Sequence, residues 1–304
     1  MRKEFDDFDA WGEAIQGADL RLVCDGVEKP VWQLTVRQIA SVTLQMAHEG
    51  GGNLCFGGNT HRGTLIYMPL GDPHRHVVNG ERLDDRSLLV IPPGGDFCIQ
   101  VRKRSHAWCS VALPEDVLGA HGDRSHVLRA DPMRVRRLRR LVEQLTQMEA
   151  GAEAPPAGST QTQADANAAR RVITDALSCI GPRESPRAPV GRPRVDRTEV
   201  VRRVVTILDG NPMGHRSIAD LAVSVGVHPR TLSRVFHDMY GVSPRHFVRL
   251  RTLHTVRRSL READPARDTV ARILARHGVW ELGRFAGLYR RQFGEAPSRT
   301  LRGT

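Results

Sequence analysis

The stretch IADLAVSVGVHPRTLSRVFHDMYGVSPRHFVRLRTLH (residues 218–254) decides the reading of this chain, because TVARILARHGVWELGRFAGLYRRQFGEAPSRTLR (269–302) repeats its pattern. Ser217–Gly226 corresponds to Thr269–Gly278 at an offset of 52 residues. Beyond the glycine the offset is 53, so Leu232, Phe236, Gly241 and Pro244 fall on Phe285, Tyr289, Gly294 and Pro297. A repeat with one residue inserted in its turn is one supersecondary unit used twice.

Each unit reads helix, tight turn, helix. Ser217 and Asp220 have capping-box spacing and start the first helix. Gly226 ends it in the left-handed conformation, and His228-Pro229 restarts the chain. Leu232 and Phe236 then face inward, and the same spacing assigns Phe285, Tyr289 and Phe293 to the core of the second unit. Arg230, Thr231, Ser233 and Arg234 are left outside. An arginine there can make two hydrogen bonds to a guanine edge in the major groove, so these four are candidate base contacts. The matching face of the second unit carries Leu282, Gly283, Ala286 and Gly287, which leaves Glu281 and Arg284 as its candidate base readers. Arg245, His246, Arg290, Arg291 and Arg299 are candidate phosphate contacts; Arg245 and Arg299 each follow a proline that opens a helix.

Charge follows the same division. Residues 196–304 hold 20 Arg, no Lys and 10 acidic residues, whereas residues 1–195 hold 25 basic and 24 acidic residues. The excess positive charge therefore sits beside the repeat, as expected for a module that meets nucleic acid.

On these residues the C-terminal hundred resembles the DNA-binding domain of the AraC/XylS regulators, down to the closing FG-x-x-P. The resemblance implies that a long helix, about 244–262, joins two helix-turn-helix units (about 217–238 and 269–291). It also implies that both recognition helices meet successive major-groove segments of double-stranded DNA. It further implies ligand-modulated control of transcription, activation rather than repression, and contact with RNA polymerase.

Residues 1–115 read as β. Runs such as 20–24, 40–46, 64–70, 87–93 and 97–101 are separated by Gly, Asp, Asn and Pro, and Asn79-Gly80 marks a hairpin. This part resembles, more loosely, the cupin-like effector domains of the same family. We expect an α+β chain: a barrel or jelly-roll sensor (1–115) enclosing a pocket for an unidentified small molecule, a helical packing or dimerisation segment (116–181), a Pro/Arg-rich linker (182–195) and an all-α DNA-binding domain (196–304). Two amphipathic helices flank a loop at 151–163, and they suggest a homodimer. Gly191-Arg192-Pro193-Arg194 reads as plain linker rather than a minor-groove hook.

Other classes fit less well. The five cysteines form no CxxC pair and their number is odd, which argues against a zinc cluster or a disulfide framework. His74 and His76, two apart in a strand-like run, could share a face with Glu81 nearby, but the surrounding spacing is wrong for a metal-binding cupin, so no metal and no cofactor are expected. The C-terminal half offers no nucleophile–base pair or metal set at recognisable spacing, and no catalysis is expected. With no apolar run of 18 residues and no secretory segment, the expected location is the cytoplasm.

Overall fold

Alternating apolar and polar residues fold the N-terminal part into short antiparallel strands. The computed structural model describes residues 2–118, 124–148, 160–181, 195–210 and 217–303. The order begins β1 (Arg2–Phe5), α1 (Phe8–Glu13), β2 (Ala18–Val27), β3 (Trp32–Ile39), β4 (Val42–Glu49), β5 (Gly51–Asn59), β6 (Leu65–Leu70), a 3-10 turn (Pro73–Arg75), β7 (His76–Val78), β8 (Glu81–Arg82), β9 (Ser87–Ile91), β10 (Asp96–Val101), β11 (His106–Ala112), α2 (Glu115–Leu118) and β12 (His126–Arg129). Helices follow: α3 (Pro132–Gln147), α4 (Thr160–Ile180), α5 (Arg197–Gly210), α6 (Ile218–Ser224), α7 (Pro229–Tyr240), α8 (Pro244–Glu262), α9 (Val270–Arg276), α10 (Leu282–Phe293) and α11 (Pro297–Arg302).

The strands form two sheets, β1-β3-β4-β11-β6-β9-β12 and β2-β5-β10-β7-β8. Between them lies a core of Leu34, Ala47, Cys55, Tyr67, Leu89, Phe97, Ile99 and Trp108, with Phe8 and Trp11 of α1 packed into it. The α+β arrangement is thus as expected: an antiparallel two-sheet region followed by helices. The Asn79-Gly80 hairpin also forms, with φ of 50° and 81° at the two turn residues, and Asn79 Oδ1 accepts from the Cys98 amide at 2.8 Å.

Several expectations need correction. The larger sheet does not stop near residue 115; β12 pairs with β9 through His126↔Val90 to Arg129↔Ser87. The segment GGNLCFGGN, which is not among the runs named above, is β5, an inner strand between β2 and β10. A Cβ at Gly57 would stand 2.5 Å from the Phe97 ring and 2.7 Å from Leu20, so only glycine lets these side chains cross the strand. The loop expected at 151–163 ends earlier, because α4 begins at Thr160. Residues 151–159 and most of the expected linker, 182–194, lie outside the described residues.

The outer faces of the sheets are both apolar, and both are covered. Helices α3 and α4 lay Val135, Leu138, Leu141, Val142, Val172 and Ala176 against Leu44, Met46, Ile66, Met68, Val90 and Val111 of the larger sheet. Asp131 caps α3, accepting from the Met133 and Arg134 amides, and Pro132 fills its first turn. Most of the apolar stripes that suggested a homodimer are therefore buried within the chain, with Met148 and Leu177 left exposed. The smaller sheet presents Val23, Leu54, Phe56 and Cys98 to α5, α6 and α7. Helix α8 links two cores: its Phe247 and Leu250 belong to the first unit, its Leu253, Val256 and Leu260 to the second.

Leu138 is fully buried between α3 and the sheet. Leu138→Ala is expected to lower stability to urea by about 2–5 kcal/mol, the cost of a core cavity. Arg136→Ala, on the exposed side of the same helix, is expected to change it by less than about 0.5 kcal/mol.

Candidate nucleic-acid interface

The first unit is built from local rules. Ser217 Oγ accepts from the Asp220 amide at 3.1 Å and starts α6. Gly226 has φ of 74°, and the Val227 amide reaches back to the Ala222 carbonyl at 3.0 Å, which closes the helix. His228 Nδ1 then accepts from the Arg230 amide at 3.2 Å, and Pro229 occupies the first turn of α7. Leu232, Val235, Phe236, Met239 and Tyr240 form the buried side of that helix. On the other side Arg230 is exposed, Thr231 and Ser233 are half-buried, and the Arg234 side chain is 82% exposed. Arg234 lies 4.0 Å from Asp238, which Arg197 also approaches at 3.3 Å. The arginines thus stand on a rigid face with their guanidinium groups in water, ready for a base edge or a phosphate.

The second unit repeats the frame with different surface chemistry. Thr269 Oγ1 accepts from the Arg272 amide at 3.3 Å, Gly278 has φ of 68°, and the Val279 amide bonds the Leu274 carbonyl at 2.9 Å. Helix α10 has Glu281 at its N-cap with no side-chain capping bond, and Glu281 instead accepts from Arg284 at 2.9 Å. Both of these side chains are 71% exposed, so the pair is a weak surface contact that a ligand can displace. Nothing lies within 4 Å of a Cβ built on Gly283, and only Arg291 touches that sphere at Gly287. The face is open, with Trp280 76% exposed beside it. Phe285 and Tyr289 are buried, and Tyr289 Oη lies 2.8 Å from Thr300 Oγ1. Phe293 packs at the margin of that core, half-buried and 4.6 Å from the Tyr289 ring, with the His254 ring at 5.1 Å and the Arg257 guanidinium 4.6 Å above it.

Among the candidate phosphate contacts, Arg245, Arg290, Arg291 and Arg299 are exposed, and Arg299 lies 3.9 Å from Glu295. His246 is placed elsewhere. Its Nε2 lies 3.5 Å from Asp25 of β2, whose carboxylate also pairs with Arg102, and Arg249 donates to its Nδ1 at 2.6 Å. Burial lowers the His246 pKa and outweighs the pull of Asp25. The ring therefore lies between sheet and helix, with Asp25 and Arg249 as its partners, rather than on the exposed surface with the other four.

That interface was invisible in the sequence pattern. Tyr240 Oη donates to the Cys55 carbonyl at 3.1 Å. Asp7 receives Arg257 at 3.0 Å and also pairs with Arg261. Asp9 lies 3.2 Å from His254, which accepts from the Cys24 amide at 3.2 Å.

Two spaces bear on a small-molecule site. The space between the sheets, lined by Trp11, Glu49, Asn53, Tyr67, Phe97 and Trp108, is about 60 Å³. That is far below the ~300–1,000 Å³ of ordinary ligand pockets. A cleft of about 600 Å³ opens instead between α1 and β2 on one side and α5 and α8 on the other. Arg251 lines it with Arg21 and Arg258, and burial together with those two cations lowers its pKa to about 10. The expected pocket inside the sandwich is thus replaced by a larger one at its edge. His74 and His76 are also separated: His74 is exposed in the 3-10 turn, while His76 is buried with its Nδ1 2.8 Å from Tyr67 Oη.

Comparison with known proteins agrees with this geometry. A family model described as "Helix-turn-helix domain" matches residues 221–303. The chain is similar to the "Probable thc operon regulatory protein" of Rhodococcus erythropolis, 34% identical over 116 residues, 38% of this chain and 35% of that protein. It is similar to the "XylDLEGF operon transcriptional activator 2" of Pseudomonas putida, 33% identical over 107 residues, 35% of this chain and 68% of that one. Among solved structures, a probable AraC family transcriptional regulator from Rhodopseudomonas palustris CGA009 is 32% identical over 34% of this chain and 95% of its own, with a TM-score of 0.31. The chain spans about a third of the length of the first relatives it matches.

Two expected outcomes follow from the charges. Affinity of the full chain for duplex DNA falls by orders of magnitude between about 50 and 200 mM salt, the signature of phosphates neutralised by arginine; a flat titration removes that role. For His246, the folded pKa lies below its ordinary 6.5, so its stabilising contribution is full above that value and is lost as the pH falls through the folded one. Urea midpoints at pH 7.5 and 5.5 should therefore fall more on acidification for the wild type than for His246→Gln, and equal falls refute the assignment.

Proposed function

Because this chain belongs to the AraC/XylS family, we propose that it is a sequence-specific transcription activator whose two helix-turn-helix units bind one face of a promoter and whose output depends on a small-molecule effector. The observation that carries this reading is the N-terminal half of α7, where Arg230 and Arg234 stand in water over the buried stripe of Leu232 and Phe236. Only directed donors and acceptors distinguish base pairs in the major groove. By that rule α7 is the principal reader, with Arg230, Thr231, Ser233 and Arg234 as its reading residues. Helix α10 offers Glu281, Arg284 and an open glycine face, which suits close backbone approach with less sequence information. Arg245, Arg290, Arg291 and Arg299 supply phosphate contacts. Helix α8, 19 residues or about 28 Å long, separates the units on the scale of one ~34 Å turn of duplex. Contact with RNA polymerase belongs to the same proposal.

The effector site in this reading is the cleft between α1, β2, α5 and α8. Its volume of about 600 Å³ suits a small molecule, and its mixed lining of Phe8, Leu20, Phe247, Arg251 and Arg258 offers an apolar body with polar fixing points. A molecule there touches both the sheet and the helix that joins the two units.

The test is a binding selection on randomised duplexes with the wild type, Arg230→Ala, Arg234→Ala and Arg284→Ala. Loss of Arg230 or Arg234 is expected to relax preference at particular positions in one segment, at a cost of roughly 1–3 kcal/mol where a bidentate guanine contact disappears. Loss of Arg284 is expected to weaken binding with a smaller change in preference. The opposite pattern assigns the reading head to α10.

A further inference from the structure

The two recognition helices end against neighbouring strands of one sheet. Tyr240 is the last residue of α7, fully buried, and its hydroxyl donates to the Cys55 carbonyl of β5 at 3.1 Å. Gln292 is the penultimate residue of α10, and its Nε2 donates to the Cys24 carbonyl of β2 at 2.8 Å. β2 and β5 are hydrogen-bonded neighbours, with Leu22 opposite Cys55 and Cys24 opposite Asn53. In the internal repeat Tyr240 corresponds to Phe293, the residue beside Gln292. Equivalent C-terminal turns of the two units are therefore held on adjacent strands. The Gly241 carbonyl, just past α7, also accepts from Arg102 at 2.7 Å. The opposite ends of both helices, carrying Arg230, Arg234 and Arg284, are exposed.

Helix α8 alone does not set this geometry. It fixes the distance between the two cores, but each unit packs on its own half of α8 through a separate cluster, the second much smaller than the first. The first unit has a broad second anchor on the sheet through Val23, Leu54, Phe56 and Cys98. The second unit has no residue in that cluster; Gln292 bonds the Cys24 carbonyl directly, and Phe293 packs on His254 of α8, which accepts from the Cys24 amide. The C-terminal half of α8 is itself tied to the N-terminal part through Asp7 with Arg257 and Arg261 and through Asp9 with His254, and Gln292 adds the bond that α10 makes to the sheet directly. On duplex DNA, one base pair of displacement is about 3.4 Å of rise and about a tenth of a turn.

We propose that the β2–β5 strand pair acts as a gauge that sets the spacing between the two recognition helices, and that Gln292 is the positioning residue holding the second unit to it. Gln292 reads no base in this scheme; it determines where α10 arrives on the duplex relative to α7. The proposal rests on the reading that both units meet DNA.

The experiment uses the full chain and duplexes in which the two segments selected by the wild type are separated by spacers one or two base pairs longer or shorter. The wild type is expected to prefer one spacing. Gln292→Leu, which keeps bulk and loses the donor, is expected to lower discrimination against a one-base-pair change roughly fivefold, the scale of one net hydrogen bond. Base preference within each segment is expected to stay as in the wild type. Gln292→Lys, which restores a donor on a long stem, is expected to recover the spacing preference. Tyr240→Phe, which removes only a hydroxyl, is expected to loosen spacing in the same sense from the other unit. The gauge is overturned if Gln292→Leu and Tyr240→Phe both keep the wild-type spacing profile. It is equally overturned if Gln292→Leu alters base preference in its segment or abolishes binding at every spacing, since the residue would then belong to the contact surface. A wild type indifferent to spacing overturns the two-unit reading itself, and the gauge with it.

Discussion

A sheet with two apolar faces must be covered twice, and that constraint organises the whole molecule. The strands β2, β5 and β10 turn Cys24, Cys55, Phe97 and Ile99 toward the sandwich interior and Val23, Leu54, Phe56 and Cys98 outward. The outer set is buried under α5, α6 and α7, so one hydrophobic cluster contains residues from both ends of the chain. Each such side chain moved from water contributes on the order of 1.5–3 kcal/mol where it is fully buried. A helical domain tethered only by a linker would be expected to move freely. Here the first unit is part of the sandwich's own packing, and the orientation of its recognition helix is tied to the sheet.

Charge completes the fit in a way that net composition conceals. The first 195 residues are nearly neutral overall, and their acidic N-terminus suggested nothing about partners. In the structure Asp7 meets Arg257 and Arg261, Asp9 meets His254, and Asp25 meets Arg102 and His246. Several of these groups are largely buried, where losing one partner strands a charge that water no longer screens. Part of the positive excess of the C-terminal region is therefore answered within the chain, while other arginines of α7, α8, α10 and α11 lie exposed at the surface.

The helix-turn-helix frame was legible because its rules are local. Caps at Ser217 and Thr269, positive φ at Gly226 and Gly278, and the i, i+4 stripe all act within one turn of helix, and the structure has each in place. The sandwich was legible as β but not in detail. β5 is not singled out by the sequence because the reason for its Gly57, the crossing of Phe97 and Leu20, lies on other strands. β12 follows a helix and has only four residues, too few for alternation to declare itself. His74 and His76 looked paired because a strand was assumed through both; Asp72 instead caps a 3-10 turn there, accepting from the His74 amide, and the two rings diverge. The buried polar group around Glu49 was likewise hidden. Glu49 accepts from Trp108 at 2.7 Å and Asn53 at 2.6 Å and lies 3.3 Å from His106, an assembly drawn from three strands. Against the cost of burial, Glu49 raises the His106 pKa, while burial lowers that of His76.

The bare face of α10 has a consequence for how such a protein acquires new targets. Gly283 and Gly287 sit inside a regular helix with open space around them, so the fold does not require them. In an exposed helix interior a glycine costs roughly 0.5–1 kcal/mol relative to alanine. Most gains of a new contact elsewhere on a protein must offset some loss of packing. At these two positions a longer side chain improves the helix and adds a donor or acceptor to its exposed face in one step. The second unit is thus an unwritten surface, where a new polar contact can be added by single substitutions without first being traded against stability.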